Sequence, residues 1–531
     1  MNKAFFICGN QKAPVGVSAT KEKVDVQHVE SNNLDSDAQR LQDLGYKQEF
    51  KREISLFVQA GFGFSTMAVL PSWMVGFGSS INAGGPSSLF WGWLVVSPFV
   101  MCIALSMAEV ISAYPLAGGV YSWAYLLSNK KWGPFMAYIN GYAYLVGLTA
   151  VVITLAWTSA TFIFDIANTL NITQIDSQGA NVGLYIGLII AATLYNLLGL
   201  RFSAYLNKFM VGWVLIGTLV IIIAVPVMAP SHQTAEWVFT EFTNNTGYTN
   251  NGIVFFIGML QAGWALVGYE TGAQIVEGTK NAAVTAPRGI IICVIGAIVQ
   301  GFALILSTVF SIQDVNELLD SSMPVATFFL RATESRAVTA FFLVILLVTQ
   351  IGSLCNSILA AAHFAWSMSR DGCLPFSGFL YKLRGDNHIA ANSFFFIMVI
   401  CIVVILPSFA SAVYWQAIMS AAVISINVSY ALPLLCRLIW SRNTMPKGPF
   451  SLGKWGVPLN VISVVWASFF GVILCIPSVS PVTPEAMNWA SLMIGGVMTF
   501  SIFFWFISGR RKFAGHVQTA ETTESTEPAK Q

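Results

Sequence analysis

Beyond residue 53 the chain alternates long apolar stretches with short polar links. Twelve stretches stand out, at 54–80, 88–113, 134–164, 182–200, 205–229, 252–278, 288–311, 337–366, 391–409, 411–437, 458–477 and 487–508. Each approaches or exceeds the roughly 20 residues with which a helix spans a bilayer. Lipid cannot satisfy open backbone groups, so each stretch is predicted to be a helix, and the fold class is an all-α polytopic membrane protein. The first stretch is expected to be a retained span and not a cleaved signal peptide, because about fifty polar residues precede it. The tails at 1–50 and 511–531 are polar and are expected to be disordered, which leaves 51–510 as one twelve-helix domain. The basic segment running from Leu44 to Arg52 abuts the first span; it reads either as an amphipathic stretch on the membrane surface or as a solvated charge run.

Composition narrows the class. Hydrophobic residues make up 55% of the chain and charged residues 10%, against about 25% charged in soluble globular proteins. The net charge of +2 suggests neither nucleic acid nor an acidic partner. Most of the eight cysteines lie in apolar runs and none forms a CxxC pair, which argues against a disulfide framework or a zinc site. Lysine and arginine set the orientation. Eight lie in the N-terminal tail, thirteen in alternate loops and four at the C-terminal end; only Arg331 and Arg336 fall on the other side. Both tails are therefore expected in the cytoplasm. The sequons beginning at Asn171 and Asn244 then face outside, either as glycosylation acceptors or as chance occurrences.

Polar and helix-breaking residues inside apolar spans are costly and point to function or to packing. The first span carries Ser65, Pro71 and Ser72, and proline removes a backbone hydrogen bond and crowds the preceding turn. The sixth carries Gly268, Glu270 and Gly272, with an ionisable group near mid-membrane. A simple proline kink and a structural hydrogen bond from Glu270 are the plain alternatives. Interruptions five spans apart fit an inverted repeat of spans 1–5 and 6–10, in which broken helices meet near the midplane. Channels and enzymes do not predict that pairing. No metal constellation, phosphate loop, nucleophile–base arrangement or cofactor motif is evident, and an enzyme is not expected.

The chain resembles the amino acid–polyamine–organocation superfamily, and within it the amino acid/choline transporter branch of fungi and bacteria. The resemblance runs from residue 44 to about 515. It rests on Gly84-Gly85-Pro86, the block from Glu109 to Tyr121, Gly268-Tyr269-Glu270, the run from Glu277 to Asn281, Ala286-Pro287-Arg288, the run from Arg370 to Pro375, and the run from Gly448 to Gly453. It implies a leucine-transporter-type 5+5 inverted repeat with two appended helices. It also implies secondary active transport by alternating access of amino acids, γ-aminobutyrate, choline or thiamine, with protons as the expected coupling ion and the plasma membrane, or an internal membrane, as the location. The first-span break departs from the glycine-rich type of many amino-acid exchangers, and the fifth span lacks the lysine that serves proton coupling in some relatives, since Lys208 sits at its end.

By matching position, the resemblance implies a substrate site lined by Ser65, Ala68, Pro71 and Ser72 of the first span, Trp264, Val267, Gly268 and Glu270 of the sixth, and Asn356 and Ser357 of the eighth. Trp264 reads as an aromatic wall and gate, or as plain packing. Glu109, near the end of the second span, is expected in a structural salt bridge. A nutrient sensor on the same fold is the alternative function; sensors commonly carry a large signalling extension, and the tails here show none.

Overall fold

The computed structural model describes residues 52, 54–172, 177–384, 389–409, 414–483, 487–510 and 513. The tails assigned to disorder lie outside the described residues except for Phe513, which is buried, and nearly all of the basic segment before the first span lies outside them too. Eleven helical stretches among the described residues are long and apolar enough to cross a membrane. The first span is the twelfth, and it comes in three pieces, Leu56–Met67, Val69–Val75 and Phe77–Asn82. The protein is thus an all-helical, twelve-span membrane protein.

Burial sorts the helices. The apolar windows of the third span, Gly133–Thr169, and the tenth, which begins at Tyr414 and ends at Trp440, are 78% buried. Those of the fourth, Gln178–Asn196, and the twelfth are 28% and 17% buried. The third and tenth spans, with the eighth, Arg336–Arg370, are therefore internal, while the fourth and twelfth present apolar side chains outward, as lipid requires.

Both described ends lie on one face. Ile54 donates to the Gly278 carbonyl at 3.0 Å and accepts from Lys280 N at 3.0 Å. Next to Gly278, Glu277 lies 3.7 Å from Arg370. Asp371 accepts from the Tyr121 hydroxyl at 3.1 Å, and Tyr121 in turn faces the ring of Phe513. This tail face is sealed by backbone pairing, buried ion pairs and aromatic packing. The salt bridge expected of Glu109 is made here with Arg437, both side chains being 6% exposed. Glu109 also accepts from Leu452 N at 3.0 Å and from Ser451 Oγ at 3.2 Å. Arg331 and Arg336 fall on the far face, where Arg331 pairs with Glu317.

Several elements differ from the expected pattern. A short helix, Val120–Leu126, lies between the second and third spans, and Val315–Asp320 and Pro324–Thr333 fold between the seventh and eighth. These pieces are too short for a hydropathy window to separate from loop. The third span continues past residue 164 to Thr169, since a helix need not stop where its apolar run does.

Candidate functional site

The breaks in the first and sixth spans build the site. Pro71 has no N–H to give to the Met67 carbonyl, and its ring crowds that carbonyl. The helix opens at Ala68, three residues before the proline, and Ala68 takes the left-handed φ of 43°. The freed carbonyls are capped by hydroxyls. Ser72 Oγ donates to Met67 O at 3.0 Å, and Ser353 Oγ donates to Thr66 O at 2.6 Å. Buried backbone polar groups need such partners in the absence of water.

In the sixth span the helix ends at Ala265, and Gly268 turns the chain with φ 109°, a conformation that L side chains rarely adopt. The span resumes as a 3₁₀-helix, Tyr269–Gly278, in place of an unwound stretch between Gly268 and Gly272. Gly272 serves close approach: its carbonyl accepts from Gln59 Nε2 at 2.8 Å, and an added Cβ would lie 2.7 Å from that nitrogen. A Cβ on Gly268 would lie 3.4 Å from Thr66, which places the two breaks side by side.

Glu270 follows directly and is 1% exposed. The Tyr144 hydroxyl of the third span donates to its Oε1 at 3.0 Å, and the Tyr430 hydroxyl of the tenth donates to its Oε2. The Gln274 amide lies 3.0 Å from the Tyr144 hydroxyl. Among the described residues no lysine, arginine or histidine pairs with Glu270. The structural hydrogen bond weighed from sequence thus exists, and it is made to two internal helices at once.

A small pocket of about 20 Å³ lies between the breaks. Of the implied residues, Ser72, Trp264, Val267, Gly268, Glu270 and Ser357 line it, joined by Leu148, Val151 and Leu155 of the third span. Ser65, Ala68, Pro71 and Asn356 lie off its wall. Ser65 and Asn356 meet Asn207 of the fifth span instead. Ser65 Oγ donates to Asn207 Oδ1 at 2.6 Å, and Asn356 Nδ2 donates to Ser65 Oγ at 2.7 Å and to Asn207 Oδ1 at 2.8 Å. This cluster ties spans one, five and eight together, while Lys208 beside it is exposed. Above the pocket a vestibule of about 720 Å³ opens to the far face past Met74, Thr158, Leu260 and Ser420. The vestibule thus lies on the side of the molecule opposite the closed tail face.

Of the two sequons, Asn171 is exposed at the end of the third span, and Thr173 lies outside the described residues. Asn244 is exposed, but its amide donates to Tyr248 O at 2.8 Å and its sequon threonine, Thr246, is buried.

Comparison with known proteins places the chain in a family. The family model described as amino acid permease matches residues 54–499, from the first span into the twelfth. The chain belongs to the amino acid permease family. It is 31% identical to the amino-acid permease BAT1 homolog of Oryza sativa subsp. japonica, over 90% of this chain and 95% of that one. Amino-acid permease BAT1 of Arabidopsis thaliana is 29% identical over 91% of this chain and 97% of its own. An uncharacterized amino-acid permease of Schizosaccharomyces pombe is 30% identical, with 94% and 93% covered. These relatives are permeases, not enzymes.

Tyr144, Tyr430 and Asn207 are the polar residues of this permease core that sequence reasoning missed. Each is one of several polar side chains on a long apolar helix, and only the packing of helices distant in sequence selects it as the partner of Glu270 or Ser65.

Proposed function

We propose that this permease is a secondary active transporter of amino acids or related organic amines such as γ-aminobutyrate, choline or thiamine-like solutes, working by alternating access with proton symport. Glu270 carries this reading. A carboxylate held by two tyrosine hydroxyls, without a basic partner, beside a helix break, is suited to receive a substrate ammonium or a coupling proton. Trp264 shares the pocket wall, and an aromatic face attracts an ammonium by about 0.5–2 kcal/mol. The freed carbonyls of the first break are taken by Ser72 and Ser353, which favours a proton over a metal cation at that break. The relatives named amino-acid permeases support amino acids as cargo. A vestibule open on one side of a sealed tail face corresponds to one end of an alternating-access cycle.

Proteoliposomes test the reading. Uptake of amino acids, γ-aminobutyrate, choline and thiamine is measured with and without proton and sodium gradients. Accumulation of at least one of them is expected to follow the proton gradient and to need no ATP. Accumulation that persists with every ion gradient collapsed and follows added ATP would overturn the transport reading. Strict exchange would overturn the symport part alone.

The same reading puts the protein in the plasma membrane or an internal membrane with both tails in the cytoplasm, and the crowding of lysine and arginine on the tail face supports that orientation. Tags at the two ends of the chain should both be digested by protease added on the cytoplasmic side. Protection of one tag and not the other would contradict an even number of crossings.

A further inference from the structure

Among the described residues, Asp165 is the one charged residue in the wall of the vestibule. Asp165 is 5% exposed. Its backbone carbonyl accepts from Thr169 Oγ1 at 2.6 Å, but among the described residues its carboxylate has no hydrogen-bond or ion-pair partner. The vestibule residues nearest it along the third span, Thr161 and Phe162, are uncharged. A carboxylate in a cavity wall, with no protein counter-charge among the described residues, takes up either a proton or a cation that reaches it.

Position adds to this. Leu148, Val151 and Leu155 line the central pocket, and Thr158, Phe162 and Asp165 line the vestibule. They recur at helical spacing, so one face of the third span runs from the pocket to the outer opening. At 1.5 Å per residue Asp165 stands about 15 Å beyond Leu155. Further along the same helix, past the pocket, Tyr144 holds Glu270. A solute following this face meets a carboxylate at each end and no basic side chain in either cavity wall.

The surroundings have the same sign. The far-face loops at 229–251 and 311–336 hold six carboxylates, Glu236, Glu241, Asp314, Glu317, Asp320 and Glu334, against Arg331 and Arg336, and Arg331 is paired with Glu317. Low-dielectric walls of one sign focus the field into a cleft and raise the local concentration of the opposite charge.

We infer that Asp165 is a charge-selectivity residue of this transporter, taking the ammonium of an incoming amine on the vestibule wall and favouring solutes of net positive charge over zwitterions and anions. A zwitterion brings a carboxylate for which the vestibule offers no basic partner, and an anion is repelled outright. The inference rests on the proposed transport of amino acids and amines, and its test separates the two.

Two measurements on the full chain in proteoliposomes make the test. In the first, lysine and alanine uptake are compared in the parental chain, Asp165→Asn and Asp165→Glu. Asp165→Asn is expected to raise the lysine concentration for half-maximal uptake about tenfold, roughly five times more than for alanine, with Asp165→Glu recovering most of the lysine preference. Equal changes for both solutes, or none, would overturn the inference. The second needs no transport. A thiol introduced by Thr161→Cys, one turn from Asp165 on the same face, is modified by a cationic and by an anionic methanethiosulfonate, with the chain lacking that thiol as the blank. The cationic-to-anionic rate ratio is expected to fall about tenfold when Asp165→Asn is added. An unchanged ratio would overturn the inference. A falling ratio in a chain that carries no amine at all would leave Asp165 as the charge filter and remove the proposed function.

Discussion

Glu270→Gln is expected to reach the membrane in near-normal amount and to lose most of its transport. The substitution keeps the shape of the side chain and its place at the end of the Gly268 turn. Tyr144 can still donate to the remaining carbonyl oxygen, and the Tyr430 hydroxyl can rotate to accept from the new amide. The pocket wall therefore survives, and what disappears is the charge. A hydrogen bond to a charged group contributes about 1.5–3 kcal/mol, so a substrate ammonium that relies on Glu270 should lose affinity by roughly tenfold or more. A coupling proton that relies on it has nowhere to bind. Surface amount and initial uptake rate need to be measured on the same cells. Tyr430→Phe gives a graded comparison, since it removes one donor and leaves the carboxylate. Normal uptake by Glu270→Gln would take Glu270 out of the transport step and leave the pocket to Trp264 and the first-span break.

Glu109→Gln should behave in the opposite way, with its main effect on abundance. Glu109 faces Arg437 across the tail face, and both are buried. Removing the charge strands the buried Arg437 guanidinium in a site walled by Gly456 and the turn at Leu452. Breaking a buried pair in this way costs about 3–5 kcal/mol, because the surviving charge is left uncompensated. The variant is expected at less than about a tenth of the parental surface level, with near-normal uptake per molecule that arrives. Combining it with Arg437→Met removes the stranded charge and should restore abundance, since an apolar replacement of a buried pair is often neutral or stabilising. If Glu109→Gln is abundant but inactive, the pair belongs to the transport cycle and not to folding.

The spans themselves were legible because each is a run of apolar residues long enough to have only one structural solution in lipid. The two breaks were legible for a related reason: Pro71 and Gly268 are chemically unable to continue an ordinary helix at low cost. The location of the first break was shifted, because proline acts on the carbonyl four residues earlier and opens the chain at Ala68, a residue with no signal of its own. The partners of Glu270 were not legible. Tyr144 and Tyr430 meet it only because of the rotation and depth of helices far apart in sequence, and hydropathy records neither. Asn207 was hidden in the same way, beside the more conspicuous Lys208. Asp165 fell just past the expected end of the third span, so a carboxylate facing the path looked like a loop residue.

Ala68 has a thermodynamic consequence beyond shaping the break. Holding a non-glycine residue in the left-handed region costs roughly 1–2 kcal/mol, and the form described here bears that cost at φ 43°. Any state in which residue 68 regains right-handed geometry is favoured by the same amount, a factor of about 5 to 30 in population. Glycine at this position is expected to lower that cost in the form described here and so shift any such equilibrium toward it.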